Sequence, residues 1–316
     1  MNQSLALADH PTVKQIVISP AHEGQRIDNF LFTFLKGVPK SRVYRIIRKG
    51  EVRVNSKRIA ISYKLILGDK LRVPPIRVSE SAVDPASRPS KNTLTNIDNA
   101  ILYEDEQLIV INKPAGLAVH GGSGVSFGLI EALRHLRPGA PFLELVHRLD
   151  RDTSGCIMIA KRRSLLTYLH DCLKTNKIQK RYYALVAGEW SGGKRVDAPL
   201  HKYLLASGER RVQVDLERGK AAATTFEVIE SFGATATMLQ ATLLTGRTHQ
   251  IRVHCAYVGH PILGDEKYGN TETGAPRLFL HAQELVVPLP YLPKPLWIKC
   301  DLPSAFQEYM TALREI

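Results

Sequence analysis

The stretch His147-Arg148-Leu149-Asp150-Arg151-Asp152-Thr153-Ser154-Gly155 constrains this chain more than any other. It separates two apolar runs, Phe142-Leu143-Glu144-Leu145-Val146 and Cys156-Ile157-Met158-Ile159-Ala160. Each run is short enough to be a buried strand. The break between them carries two carboxylates, two guanidiniums and a histidine, then a turn-forming Thr-Ser-Gly. Charges placed where two core strands meet are costly unless paired. The loop therefore either locks itself into a structural ion-pair network or holds its charges at a site of chemistry.

The chain is 316 residues long, enough for two domains and at least one sizeable core. Its 43 Lys and Arg against 30 Asp and Glu leave a net charge of +13. An excess of that size suits a polyanion, either nucleic acid or a membrane surface. No apolar run approaches the ~18 residues of a spanning helix. Met1 to His10 has no basic start and no apolar stretch of ~7–15 residues, so no signal peptide is expected. Cys156, Cys172, Cys255 and Cys300 are far apart and form no CxxC pair. Neither a zinc knuckle nor a disulfide framework is indicated, and a reducing, cytoplasmic location is expected.

Residues 1–23 read as a polar arm, with a short strand at Val13 to Ile18. Ile27, Phe30, Leu31, Phe34 and Leu35 then fall on one helical face, and Gly37-Val38-Pro39 stops that helix. Ser41 is placed to cap a second helix, Arg42 to Lys49, ended by Gly50. Val43, Ile46 and Ile47 form its apolar face; Arg42, Arg45, Arg48 and Lys49 lie largely opposite. A hairpin is expected next, Glu51 to Val54 and Lys57 to Ala60, turning at Asn55-Ser56. Between residues 40 and 58 stand eight basic side chains and one acidic one, Glu51. A merely solvated face mixes signs, so this one points to nucleic acid. Two short helices, a KGxVxVN hairpin and a strand ending in Gly68-Asp69-Lys70-Leu71-Arg72-Val73 resemble an S4-like RNA-binding domain over residues 24–82. The stretch 79–97, rich in Ser, Pro, Asn and Thr, reads as a linker, taken as 83–97 between the domains. Residues 98–316 form the larger domain.

That domain opens with two strands around an acidic turn, residues 101–111. Asn112-Lys113-Pro114-Ala115-Gly116 interrupts the chain, and Leu117-Ala118-Val119-His120 resumes it. Gly121 to Gly124 is a turn without the following Lys-Ser/Thr of a phosphate loop. Helical spacing appears at Ile130, Leu133 and Leu136, and again from Ser164 to Lys174. Residues 180–188 alternate as a strand, residues 221–230 and 236–245 as a β pair. Residues 246–254 lead into a helix, and Phe306 to Leu313 form another. The implied class is α+β.

Three constellations carry candidate chemistry. Asp150 and Asp152 suggest the acid and base of a glycoside hydrolase, but such pairs come from separate strands rather than positions i and i+2. His249, His254 and His260 match no metal-ligand spacing, so no metal is assigned. Arg252, flanked by Ile251 and Val253, is expected to be partly buried and to need a carboxylate, with Asp150 the natural partner.

Five blocks together resemble the RluA-type pseudouridine synthases: EDEQLIVINKPAGLAVH at 104–120, HRLDRDTSG at 147–155, KRYYALVAG at 180–188, TGRTHQIRVH at 245–254 and GHPILGD at 259–265. The resemblance covers about residues 98–290. It implies a mixed, mainly antiparallel sheet with a central cleft, preceded by the small S4-like RNA-binding domain. It implies isomerisation of uridine to pseudouridine in large-subunit (23S) ribosomal RNA, with no cofactor, no membrane and no obligate protein partner, by a monomer. Asp150 would work on the sugar, as nucleophile or as base. Tyr182 would stack on the detached uracil, though Tyr183 competes for that assignment. Arg252 would hold Asp150 ionised. The uridine must be extruded from its stack. Arg148, Arg151 and Arg247 would contact RNA, as would Arg42, Arg45, Arg48 and Lys49. For Arg148 and Arg151, salt bridges to Asp152 or Glu144 are the competing reading. Two other classes remain open on the sequence: a non-catalytic RNA-binding protein on the same fold, and a carbohydrate hydrolase, which leaves residues 40–58 unexplained.

Overall fold

The structure, a computed structural model, describes residues 12–35, 38–76, 89–121, 127–269 and 274–315. Residues 1–11 of the N-terminal arm, and Gly122 and Gly124, lie outside them. The chain divides into two compact units, residues 1–88 and 89–316.

The first unit contains β1 (Lys14–Val17), a short 3-10 turn (Pro20–His22), α1 (Ile27–Phe34), α2 (Lys40–Arg48), β2 (Arg53–Val54) and β3 (Lys70–Val73). The three strands are antiparallel in the order β1-β3-β2. Ile27, Phe30 and Leu31 of α1 pack with Val43, Ile46 and Ile47 of α2 in one core, joined by Val54, Leu71 and Val73. Their helical and two-residue spacings put them on single faces. Arg42, Arg45, Arg48 and Lys49 are all exposed. Two expectations change here. The residue before α2 is Pro39, not Ser41, and no side chain caps the helix. Lys57 to Ala60 is not a strand. Asn55 and Ser56 do turn the chain through left-handed φ values of 47° and 67°, but β2 pairs with β3 instead. Buried Asp69 secures that arrangement, accepting from Asn55 Nδ2 at 2.8 Å, the Tyr63 hydroxyl at 2.9 Å and the Ile66 amide at 2.9 Å.

The second unit begins earlier than its sequence suggests. Residues 91–97, read above as the end of a linker, belong to α3 (Lys91–Asn99). Ser90 caps it by accepting from the Thr93 amide, and Ile97 is 1% exposed in the main core. Two apolar residues three apart, Leu94 and Ile97, are enough to dock a helix that its polar composition hides.

There follow β4 (Ile101–Glu104), β5 (Leu108–Lys113), α4 (Leu129–Leu136), β6 (Glu144–Leu145), β7 (Ser154–Ala160), α5 (Arg163–Lys174), β8 (Gln179–Ala187) and β9 (Arg195–Asp197). Next come β10 (Leu200–Leu204), β11 (Arg210–Val214), β12 (Ala223–Phe232), β13 (Ala236–Leu243), α6 (Gln250–Tyr257), β14 (Leu280–Val287), β15 (Leu296–Lys299) and α7 (Ser304–Arg314). The main sheet has ten strands in the order β4-β5-β7-β14-β8-β13-β12-β9, with β15 on β14 and β6 on β7. Among the described residues only β7 and β14 pair in parallel; every other pairing in this sheet is antiparallel. This is the expected mixed, mainly antiparallel sheet. Strand β7 is buried along its whole length, as its unbroken apolar run requires. Its partner run shrinks to the two residues of β6. Residues 117–120 do not form a strand; their carbonyls at Ala118 and Val119 accept from Leu129 and Ile130, the first turn of α4.

Two glycines set the geometry around the future site. Gly155, with φ +111°, lies where β7 meets β14 so closely that a Cβ would stand 2.3 Å from the Ala282 carbonyl oxygen. Gly264, with φ +72°, would press a Cβ to 1.8 Å of the Arg277 carbonyl oxygen. Only glycine fits a left-handed residue against backbone in this way.

Candidate active site

A cleft of about 780 Å³ opens beside the loop between β6 and β7, with β8, the end of β13 and the start of α6 as its other walls. Asp150, Tyr182 and Arg252 all line it, as do Arg148, Lys180 and Arg247. Among the described residues Asp150 is the one acidic side chain on that surface, facing five lysines and arginines counting Lys174 and Arg252.

The loop owes its shape to two basic side chains. His147 takes the Met158 amide on Nε2 at 3.2 Å, and burial of its ring, with Lys180 nearby, pushes its pKa down to about 3. It is a neutral anchor. Lys113, at the end of β5, is fully buried. Its ammonium donates 2.9 Å bonds to the carbonyls of Pro114, Leu117 and Arg151. Burial pushes its pKa down to about 7, while Asp152 and Asp150 pull it upward. All three of its donors are satisfied by carbonyl oxygens, which favour the ammonium. The result ties the chain break at Lys113 to the residue after Asp150. Pro114 and Leu117 are local partners, but the third, Arg151, is brought by tertiary structure across 38 residues.

Arg252, on α6, is 7% exposed. Its principal partner differs from the one expected. Nε and one terminal nitrogen grip both oxygens of fully buried Asp265 at 2.7 Å each. The other terminal nitrogen reaches Asp150 Oδ2 at 3.1 Å. Burial opposes its charge, but Asp265 and then Asp150 raise the guanidinium's pKa overall. A planar fork with one carboxylate on each side is a geometry lysine cannot reproduce. Arg252 thus fixes one oxygen of Asp150 and leaves the carboxylate partly open to the cleft, with 28% of its side chain exposed.

Tyr182 is 7% exposed on β8. Burial, and then the charge of Asp150, raise its phenol well above its ordinary pKa. It stays a neutral phenol with an aromatic face. Tyr183 points to the opposite side of the strand, as successive strand residues do, and is not part of the cleft wall. Arg148 is exposed at the cleft without an ion pair among the described residues. Arg151 is exposed too, but pairs with Asp152 at 3.1 Å, which is the competing reading foreseen for it. Glu144 pairs with Arg134. Arg247 is exposed and anchored by Nε to the Ala221 carbonyl at 3.0 Å.

The histidine set does not converge. His254 is buried between Thr224 and the Ala198 carbonyl, and His260 binds the Ala187 carbonyl and Ser191. Among the described residues no group of three metal-ligating side chains forms. No helix among them is long and apolar enough to cross a membrane.

One partly buried carboxylate, a neutral aromatic wall and a cationic rim fit chemistry on the sugar of an RNA nucleotide. Comparison with known proteins agrees. Residues 107–257 match the RNA pseudouridylate synthase family, and residues 25–71 match the S4 domain. The chain belongs to the RNA pseudouridylate synthase family, isomerases that act on uridines of RNA. It is 52% identical to ribosomal large subunit pseudouridine synthase C of Salmonella typhimurium, over 96% of this chain and 98% of that one. It is 53% identical to the protein of that name from Pasteurella multocida, over 96% and 94%. Among solved structures, human RNA pseudouridylate synthase domain containing 4 aligns with a TM-score of 0.59 at 26% identity, covering 70% of this chain and 95% of that one.

Proposed function

We propose that this protein converts uridines of large-subunit ribosomal RNA to pseudouridine, with Asp150 as the carboxylate that acts on the ribose. The reading rests on one observation: among the described residues Asp150 is the sole acid lining the cleft, with Oδ2 fixed by Arg252 and 28% of its side chain still exposed. The reaction breaks the bond from uracil N1 to the anomeric carbon and forms one from C5 to that carbon. A proton leaves C5 and N1 gains one, so composition and oxidation state are unchanged. Asp150 serves either as nucleophile at the anomeric carbon or as base at the neighbouring ribose carbon. Tyr182 stacks on the freed base while it turns. Arg252 holds Asp150 in place through Oδ2. No cofactor enters this scheme, and turnover is expected to survive chelation and dialysis.

Substrate placement divides between the units. Residues 24–82 supply affinity through Arg42, Arg45, Arg48 and Lys49, while Arg148 and Arg247 grip phosphates at the cleft. The relatives named for the ribosomal large subunit match at 51–53% identity over nearly their whole length, which supports the same RNA as substrate. A monomer in the cytoplasm, without an obligate protein partner, is the simplest form of this reading. The test is to map pseudouridines in ribosomal RNA from cells lacking the protein, complemented with wild type or with Asp150→Asn. Sites should vanish in the deletion, return with wild type and stay absent with the variant. An unchanged map in the deletion would refute the assignment.

A further inference from the structure

The start of α6 carries a side chain for which the scheme above has no role. His249 precedes the helix in a left-handed conformation, φ 54° and ψ 21°, and makes no side-chain capping bond. A non-glycine residue in that region is uncommon, and such conformations concentrate at functional sites where the surroundings over-determine them. Here the ring lines the catalytic cleft.

Its neighbours favour one tautomer. The Val212 amide donates to the Tyr268 hydroxyl oxygen at 3.1 Å. The phenolic proton then meets His249 Nδ1 at 2.6 Å and has no other acceptor among the described residues. An Nδ1 that accepts leaves the proton of the neutral ring on Nε2. That nitrogen faces Asp150 Oδ1 at 3.6 Å, while Oδ2 belongs to Arg252. Tyr268 is itself held. Its amide donates to Asp265 Oδ1 at 3.1 Å, and the Arg252 guanidinium lies 5.2 Å from its ring centre. Asp265 therefore anchors both arms that reach Asp150.

We propose that His249 is a positioning residue for the isomerisation: a neutral imidazole, oriented by Tyr268, that directs its Nε2–H at Oδ1 of Asp150. The carboxylate is then fixed at both oxygens in one orientation toward the ribose. The separation of 3.6 Å closes to a hydrogen bond when substrate fills the cleft, as catalytic contacts commonly tighten from the free enzyme. Neutrality matters. An imidazolium would pair with Asp150 and draw charge away from the reacting sugar. Burial lowers the pKa of His249; Asp150 raises it, Arg252 and Lys267 lower it, and Asp265 raises it again. Tyr268 and Glu209 are the remaining polar groups that act on the ring.

This inference rests on Asp150 being the working carboxylate, and the experiment separates the two. Full-length His249→Ala, His249→Gln, Tyr268→Phe and Asp150→Asn are assayed on transcribed large-subunit ribosomal RNA for kcat, KM and the pH dependence of kcat. His249→Ala should lower kcat by on the order of ten- to a hundredfold, the worth of a hydrogen bond to a charged group, with KM within about threefold. His249→Gln restores an N–H at similar reach and should recover most of that loss. Tyr268→Phe keeps the ring and its contact with Arg252 but frees Nδ1 to take a proton. Its kcat should fall by a smaller factor, and the acid limb of its pH profile should move to higher pH. A merely structural histidine would not shift that limb. Wild-type kcat and pH profile in both His249→Ala and Tyr268→Phe would overturn the proposal, as would a Gln variant no better than Ala. Thermal melts show whether the Ala variant folds; if it does not, the Gln and Phe variants decide. Should Asp150→Asn itself retain turnover, the catalytic reading fails instead.

Discussion

Arg252 and the four cations of α2 put the same charge to opposite uses. Arg252 is buried and held by two carboxylates, bidentate to one of them. Arg42, Arg45, Arg48 and Lys49 are exposed, and none pairs with a carboxylate among the described residues. A buried cation with its donors committed cannot be offered to RNA; it holds another group in place. An exposed row without partners keeps its charge for a polyanion, although Arg45 and Arg48 in the last turn also suit the helix dipole. On the proposed function, whether a cation is spoken for separates the groups that do chemistry from those that collect substrate.

The largest effect should come from the anion that Arg252 serves. Asp150→Asn should abolish isomerisation while RNA affinity stays within about tenfold, or ~1.4 kcal/mol, because phosphate contacts dominate binding. Near-normal turnover in single-turnover assays would break the comparison at its centre. Next in size is Arg252→Met, which strands fully buried Asp265. Removing one partner of a buried pair costs about 3–5 kcal/mol, and denaturant unfolding should show it together with a loss of turnover. A stability unchanged by the substitution would mean that Asp265 finds another donor.

The exposed cations predict the reverse pattern. Neutralising Arg42, Arg45, Arg48 and Lys49 together should leave stability and saturated turnover alone and weaken RNA binding. It should also flatten the dependence of affinity on salt, by roughly 0.7 in slope per lost contact on single-stranded RNA. Binding measured over a salt series checks this. An unchanged slope would make α2 an ordinary solvated face.

What could be read from the sequence follows the range of the interactions. The apolar faces of α1 and α2 repeat at local spacing and β7 is an unbroken apolar run; they formed as expected, except that Phe34 of α1 is 37% exposed. Asp150, Tyr182 and Arg252 stood in recognisable blocks, and the cleft brings them together. The pairing of Arg252 with Asp265 was missed because it spans thirteen residues and two left-handed glycines, Gly259 and Gly264. The bond from Lys113 to the Arg151 carbonyl and the contact of Tyr268 with His249 were invisible for the same reason, since they span 38 and 19 residues. Helix α3 escaped because only Leu94 and Ile97 interrupt its Lys, Thr, Asn and Asp, and docking rather than propensity makes it a helix.

The smallest effect expected sharpens the comparison most finely, because it contrasts two neighbours in one loop. Arg148 and Arg151 flank Asp150, and sequence treats them alike. Arg148 lines the cleft without an ion pair among the described residues, whereas Arg151 lies off the cleft wall and pairs with Asp152. Both members of that pair are about half exposed or more, at 61% and 48% of their side chains, so the pair itself is worth at most about 1 kcal/mol. Arg151 must give up Asp152 before it can serve a phosphate; Arg148 gives up nothing. Arg148→Ala should therefore weaken RNA binding several-fold and lower the salt slope by up to about one contact. Arg151→Ala should change affinity by less than about twofold and leave the slope where it was. The two variants, titrated side by side against the same RNA at three salt concentrations, give the answer. Equal losses would show that an exposed ion pair exchanges freely for RNA phosphate, and that being paired removes a cation from binding only when the pair is buried.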